Sequence, residues 1–373
     1  MKITIKQAIL NEHLNNVIKG ISSKNIIPIL NCIKFELKQE GLYLISTDNE
    51  IVIKSFIPAK DIEEIKELGD IVVPGRLFHE IIKKLNREII NIEELIDSKL
   101  SVYTTKSSFT LNCNNSNEFP DLELNNSENP IKISKRVFRN IINQTIFATS
   151  TQESRPVLTG INFKFNNNKL ECTATDSYRL AKKEIILSNS VDNEYNIIIP
   201  TKNLNELIRM FNDDDSDVEL HIFNNKVIFK FDSIVMLSRI INGTYPDTSK
   251  LIPTEFSLTV KVNLREFYNA IDRASLLTNE NEKNTIRFET KDDYVIISSN
   301  TPELGYVEET INIEKNNNED LKIAFSSKYM LDALKSMECE EINLMFNGDI
   351  KPIIMKNPNN SDLLQLILPI RTY

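Results

Sequence analysis

The densest group of chemically able side chains is the stretch NDDDSDVELH, Asn212–His221. Carboxylates crowded near a histidine have the donor set for a hydrated cation, and such a cation could activate water for hydrolysis. The stretch follows a helix pattern, where an earlier copy of that pattern continues as NREIINIEEL from Asn86. A solvated acidic turn therefore accounts for Asp213–Asp217 without a metal. His13 and His79 stand far from His221 and share no ligand spacing. Cys32, Cys113, Cys172 and Cys339 share no close spacing either, so free thiols of a cytosolic protein are expected. No Ser or Cys lies in a nucleophile-elbow context. With 8 Gly in 373 residues, a phosphate-cradling loop is not expected. The residues call for no catalytic group, metal or cofactor.

A second set of charges points to binding. Arg76, Lys202 and Lys328 recur at steps of 126 residues, and Lys83, Arg209 and Lys335 recur seven residues after them. Seven residues is nearly two helical turns, so each pair shares one face, opposite an apolar one. An acid lies between each pair: Glu80, Glu206 and Asp332. A further helix pattern carries Lys135, Arg136 and Arg139 with no acid. Over the expected helices, 6–19, 75–87, 134–147, 201–211, 263–277 and 326–337, the net charge is about +9, in a chain of −9. The remainder is then about −18. Positive charge gathered on one set of helices suits a polyanion. Lys and Arg coating solvated helix faces is the plainer alternative.

The elements that carry these charges repeat. VVPGRLFHEIIKKL from Val72, IIPTKNLNELIRMF from Ile198 and AFSSKYMLDALKSM from Ala324 are in register. Phe78, Ile81, Ile82 and Leu85 match Leu204, Leu207, Ile208 and Phe211, then Met330, Ala333, Leu334 and Met337, each set making one apolar helix face. Three further helices are expected with apolar faces Leu10, Leu14, Val17, Ile18, Ile21; Phe138, Ile141, Ile142, Ile146; and Leu264, Phe267, Tyr268, Ile271. Short β-rich runs such as IKFEL, LYLIST, INFKF, LECTAT, VIFKF, IRFET and YVIISS fall between them. Each repeat reads as strand, helix, three strands, then the same again, an α+β fold with antiparallel sheets covered on one face. EFPD at Glu118–Asp121 and TYPD at Thr244–Asp247 close the first two repeats, because Pro with a following Asp favours an extended segment leading into a turn. Three domains are expected: 1–127, 128–252 and 253–373. The apolar runs are too short to span a bilayer, and MKITIKQAIL lacks the unbroken apolar stretch of a signal peptide.

The three-fold repeat, TDSYRLA (Thr175–Ala181), TYPD and the terminal LILPIRTY (Leu366–Tyr373) resemble the bacterial DNA polymerase III beta subunit, the sliding-clamp family, over the whole chain. The resemblance implies a cytoplasmic, non-catalytic processivity factor. Two subunits would close head-to-tail into a ring with helices on the inner face and sheets outside, encircling duplex DNA without sequence specificity. It implies the DNA polymerase III catalytic subunit, the clamp loader and other replication and repair proteins as partners, with no membrane. By the same resemblance a peptide pocket uses Leu158, Thr175, Ser177, Tyr178, Arg179, Leu180, Pro246, Lys250 and Leu251. The third repeat adds Ile350, Pro352, Ile354, Leu368, Pro369, Ile370 and Arg371. DNA-proximal residues would be Lys24, Arg76, Gln152 and Lys202. Subunit contacts would be Phe109 and Leu111 on one side, Leu276 and Leu277 on the other. Tyr178 stands where many members have His, and Lys250 where some have Arg, which bears on peptide preference. Two other functions are open to the residues: a repeat scaffold that binds proteins without encircling DNA, and a metal-dependent hydrolase using residues 213–221.

Overall fold

The computed structural model describes residues 1–22, 26–281, 283–302 and 304–371. Among the described residues six α-helices form where the apolar period predicts them: α1 (Gln7–Val17), α2 (Gly75–Lys84), α3 (Lys135–Thr145), α4 (Thr201–Ile208), α5 (Leu264–Ser275) and α6 (Ser327–Lys335). Leu10, Leu14, Val17 and Ile21 are buried, as are Phe78 and Ile82, Leu204 and Leu207, Phe267 and Ile271, and Met330, Ala333 and Leu334. The helices are shorter than their patterns. The chain is extended at Lys6 before α1 and at Leu85 after α2, and Arg209 lies in the turn beyond α4. Lys6, Lys19, Arg87 and Arg209 thus fall outside. The helices carry −1, +2, +3, 0, 0 and +1, about +5 in place of the expected +9.

The chain folds into two compact units, one of residues 1–136 with 202–240, the other of 137–201 with 241–373. The first unit holds two antiparallel sheets. One has five strands in the order Glu64–Glu67, Lys2–Lys6, Ile89–Leu95, Lys99–Tyr103 and Ser108–Asn112. The other has eight, running Ile131–Ser134, Asp217–Ile222, Lys226–Phe231, Ile234–Arg239, Ile51–Pro58, Gly41–Thr47, Cys32–Lys38 and Gly69–Pro74. Met236 sits opposite Ile53 where strands of the first and second repeats pair.

The second unit also holds two antiparallel sheets. The larger runs Tyr195–Pro200, Gly160–Asn166, Lys169–Thr175, Arg179–Ile186, Asn360–Ile367, Ile353–Asn357, Glu341–Phe346, Leu258–Asn263 and Glu314–Lys315. The smaller runs Gly305–Asn312, Tyr294–Thr301, Thr285–Thr290 and Lys322–Ser326. Arg179 pairs with Ile367 and Ala181 with Gln365, joining second-repeat strands to third-repeat strands. The middle repeat therefore gives its two strand groups to different sheets. A free strand edge exposes a row of unpaired N–H and C=O groups, and pairing edges of successive repeats satisfies them.

The two aromatic-Pro-Asp copies act as anchors. Phe119 packs with Cys32, Val72, Ile228 and Leu237 on the eight-stranded sheet. Tyr245 packs with Leu158 and Ile198, and its hydroxyl accepts the Thr175 N–H at 3.0 Å. The segments that follow, 120–130 and 246–257, hold no helix or strand beyond the single turn Ser249–Leu251.

The acidic stretch after α4 is tied by cations rather than freely solvated. Lys135, at the start of α3, is fully buried, and its Nζ donates to Asp214 at 2.9 Å and to both oxygens of Asp232 at 3.0 and 2.9 Å. Arg136 pairs with Asp215 at 3.0 Å. Asp214 also accepts the N–H and hydroxyl of Ser216. Among the described residues no cluster of three or more His, Cys, Asp or Glu is placed to hold a metal. The Ser216 hydroxyl, then Lys135, holds the Asp214 carboxyl down to about 2. Burial pulls the Lys135 ammonium down, but its two carboxylates outweigh that and raise it.

The signs give a test. A carboxyl lowered by folding stabilises above its ordinary range, and that contribution is lost as pH falls through about 2. A raised ammonium stabilises below its ordinary value and loses the contribution as pH rises past its folded one. Lys135→Met leaves Asp232 and Asp214 without their cation. Because these carboxylates are 34% and 44% exposed, water offsets part of the loss. The expected destabilisation is about 2 kcal/mol, below the ~3–5 typical of a deeply buried pair. Calorimetry should find the gap in melting temperature between wild type and variant widest from about pH 5 to 9 and narrowed below about pH 3.

Candidate functional site

The sequence TDSYRLA forms a turn between the strands Lys169–Thr175 and Arg179–Ile186. Asp176 Oδ1 accepts the N–H groups of Tyr178 and Arg179 at 2.9 and 3.0 Å. Thr175 Oγ1 donates to the Arg179 carbonyl at 2.6 Å and accepts the Ser177 N–H at 3.1 Å. These bonds hold Ser177 at φ +79°, in the left-handed region that non-glycine residues rarely enter. The result is to lift Tyr178 out, 60% exposed, while pinning Arg179.

Arg179 is held on three sides. Its Nε meets Asp176 Oδ2 at 3.0 Å, and its Nη1 meets Asp332 Oδ2 on α6 at 2.6 Å. The guanidinium lies over the Tyr329 ring at 4.5 Å and the Phe147 ring at 5.4 Å. Tyr329 stacks in turn on Tyr178, with ring centroids 6.4 Å apart. Burial pushes the Tyr329 phenol up, so it stays protonated and neutral. The C-terminal segment is tied to the same turn: Leu368 N–H donates to the Tyr178 carbonyl at 2.9 Å, and Ile370 N–H to the Ala324 carbonyl at 2.7 Å.

Around this turn the expected pocket residues fall into three groups. Leu158 packs with Tyr245, whose hydroxyl takes the Thr175 N–H, and Pro246 follows in the chain. Leu180 and Ile354 lie in one buried cluster with Leu366, which is not among the expected residues. Ile350, Ile370 and Arg371 instead line a cleft of about 750 Å³ with Arg287 and Lys322. Pro246, Lys250, Leu251, Ile350, Leu368 and Arg371 are exposed, and Pro352, Pro369 and Ile370 half-buried. Exposed Tyr178, Leu251, Ile350 and Leu368 rimmed by Lys250 and Arg371 suit apolar anchors of a peptide, with cations for its polar groups. Sequence reasoning passed over Tyr329, Phe147 and Asp176, and read Asp332 only as a spacer between lysines. The available signal was that Tyr329 and Asp332 lie one turn apart on α6, facing the same way.

Most of the described basic positions are exposed, but several are engaged. Arg76 Nη2 donates to the Ile21 carbonyl at 2.9 Å. Lys202 pairs at 2.8 Å with Asp48, whose side chain is buried and whose other oxygen accepts the Glu50 and Ile51 N–H groups. Gln152 is exposed in a loop, and Lys24 lies outside the described residues. Lys83, Lys328 and Lys335 are exposed; Arg209 bonds Glu206 at 3.1 Å. Lys135 and Arg136, expected to add to a cationic face, are spent on the aspartates.

Each of the four sheets ends in two edge strands; among these are Ser108–Asn112 in the first unit and Gly305–Asn312 in the second. Phe109 is exposed on the first, whereas Leu111 is tucked into its own sheet. Leu276, just past α5, is 75% exposed, and Leu277 is half-buried with its carbonyl accepting from Thr301 at 2.6 Å. Arg273 on α5 grips Glu309 of the edge strand at 2.9 and 2.6 Å.

Comparison with known proteins gives concordant results. The three domain descriptions of the DNA polymerase III beta subunit match in order: N-terminal over residues 1–123, central over 132–247, C-terminal over 249–371. The beta sliding clamp of Bacillus subtilis is 41% identical and that of Staphylococcus aureus 40% identical, each covering all of both chains. The crystal structure of the DNA polymerase sliding clamp from Bacillus subtilis superposes with a TM-score of 0.97 over the whole of both chains. That of the DNA polymerase III beta chain from Streptococcus pneumoniae, 33% identical, does so with 0.95, again over both chains entire.

Proposed function

We propose, from the premise that this chain belongs to the DNA polymerase III beta-subunit family and is a non-catalytic sliding clamp, that two copies close head-to-tail around duplex DNA. The three domains are 1–127, 128–252 and 253–373. The N-terminal and central family matches fall within the first two, and the C-terminal match begins at 249, four residues before the third. The ring works in the cytoplasm and holds the DNA polymerase III catalytic subunit, after loading by a clamp loader.

The observation that carries the ring is that two edge strands, Ser108–Asn112 and Gly305–Asn312, have exposed apolar side chains on or beside them, Phe109 and Leu276. A strand edge left unpaired invites a second chain. Joining the Ser108–Asn112 edge of one copy to the Gly305–Asn312 edge of the other is heterologous, and closes only if the rotation does. Phe109, Leu276 and Leu277 lie on or beside those edges and lose their exposure in the joint, with Leu111 next to Phe109 on the same strand face. Arg76, Lys202 and Gln152, with Lys24, contact phosphates. Such contacts position without reading sequence, which sliding needs. The residues from Leu158 to Arg371 around the Tyr178 turn take the anchors of a partner's short peptide.

The test is topological. Protein loaded on a nicked plasmid by its own clamp loader should stay bound through a high-salt wash, and should leave when the plasmid is cut once. Ordinary ionic binding fails the wash on circle and linear DNA alike, because each phosphate contact is lost with rising salt. Equal retention on both, or on neither, overturns encirclement and favours the scaffold reading.

A further inference from the structure

The peptide site accounts for Ile350, Ile370 and Arg371, but not for the rest of the 750 Å³ cleft they line. Its far wall is Thr285–Thr290 paired with Lys322–Ser326, with Arg287 opposite Ala324 and Glu289 opposite Lys322. Ala324 is small, so the cleft is open where Arg287 stands, and its carbonyl already takes the Ile370 N–H. The apolar part is Ile350, 63% exposed, with Ile370.

The charges are unequal. Glu289 is engaged by Lys291 at 2.5 Å and Lys322 at 3.1 Å. Asp349 is the other carboxylate of the cleft. Against it stand Arg287 and Arg371, neither of which makes an ion pair among the described residues, and the second cation brought by the Lys291–Glu289–Lys322 group. A cationic cleft on a chain of net −9 is a local reversal of field, and it draws anionic groups. A smaller cleft of about 360 Å³ continues past Arg287 and Arg371 to Ser299 and Asn300, giving room for several residues of extended chain.

We propose that this cleft is an extension of the peptide-docking site that takes acidic residues flanking a partner's apolar anchors, with Arg287 as the specificity-determining residue. The inference rests on the reading of the Tyr178 turn as a peptide site. Cleft and turn share the segment Leu368–Arg371, so a peptide seated at the turn reaches the cleft without a break. Arg287 is planar and always charged, suited to a carboxylate.

The probe is a labelled Gln-Leu-x-Leu-Phe peptide, bare, or extended by three Glu or three Lys at either end, titrated in low and high salt. One Glu extension should tighten binding about three- to fivefold in low salt, the range for a few exposed ion pairs. The gain should vanish in high salt, and the matching Lys extension should weaken binding. Arg287→Glu should abolish the gain while leaving the bare peptide within about twofold, since Arg287 does not touch the turn. Lys322→Ala, which takes away one of the two cations on Glu289, is the second variant and should reduce the gain. Bare-peptide binding with no gain at either end, or a gain that survives in Arg287→Glu, overturns the extension and leaves the peptide site standing. Failure of the bare peptide to bind well-folded wild type overturns both.

Discussion

Replacing Leu276 and Leu277 together by Asp should turn a dimer into a monomer. Leu276 is 75% exposed in the single chain. Burying a Leu side chain contributes about 1.5–3 kcal/mol, and a carboxylate at the same place must be desolvated instead. At about 1.4 kcal/mol per factor of ten, the subunit Kd should rise by at least about a hundredfold. Sedimentation at micromolar concentration should give one chain in place of two. Retention on circular DNA should be lost with it. Leu276 makes few contacts within its own chain, so most of any fold damage would come from half-buried Leu277. Leu276→Asp alone therefore serves as the control, with melting unchanged to within about 0.5 kcal/mol. A double variant that stays dimeric would remove both leucines from the subunit joint.

The second large effect is expected at the peptide site. Leu158 packs under Tyr245 and Leu180 lies in the sheet core, so a charge at either would unfold the site and prove nothing about binding. Leu251 and Leu368 are exposed and therefore separable from stability. Leu251→Asp with Leu368→Asp should weaken the bare Gln-Leu-x-Leu-Phe peptide by about fiftyfold or more. Two apolar anchors of about 1–1.5 kcal/mol each would be replaced by carboxylates that resist desolvation. Fluorescence anisotropy reads the affinity, and circular dichroism checks the fold. Wild-type affinity in the double variant would place the peptide elsewhere. Tyr329→Ala tests the support: Arg179 keeps its two aspartates but loses the ring beneath it, so affinity should fall by less than in the double variant.

Much of this molecule is legible from the order of its residues. The recurrence of apolar residues every three or four positions says which side of a segment avoids water, and it needs no knowledge of what lies opposite. That is why α2, α4 and α6 and their buried faces could be read in register from Phe78, Leu204 and Met330. The turn at Thr175–Arg179 is local too: Asp and Thr side chains bond backbone groups two to four residues away, and the spacing records it.

Partnership across long separations is another matter. Lys135 looks like one more cation on a basic helix until folding brings Asp214 and Asp232 to it, 79 and 97 residues along. Asp332 looks like a solvated acid until it meets Arg179, 153 residues away. The cationic face shrank partly because the helices end sooner than their patterns, and partly for the same reason, because a charge count cannot see that Lys135 and Arg136 are answered. The period of 126 residues marks three copies, yet strand pairing splits the middle copy between two sheets. Periodicity follows from each residue's own preference for water or core. Edge pairing and ion pairing depend on which surfaces the closed chain brings within 3 Å, and they are settled only by the whole fold.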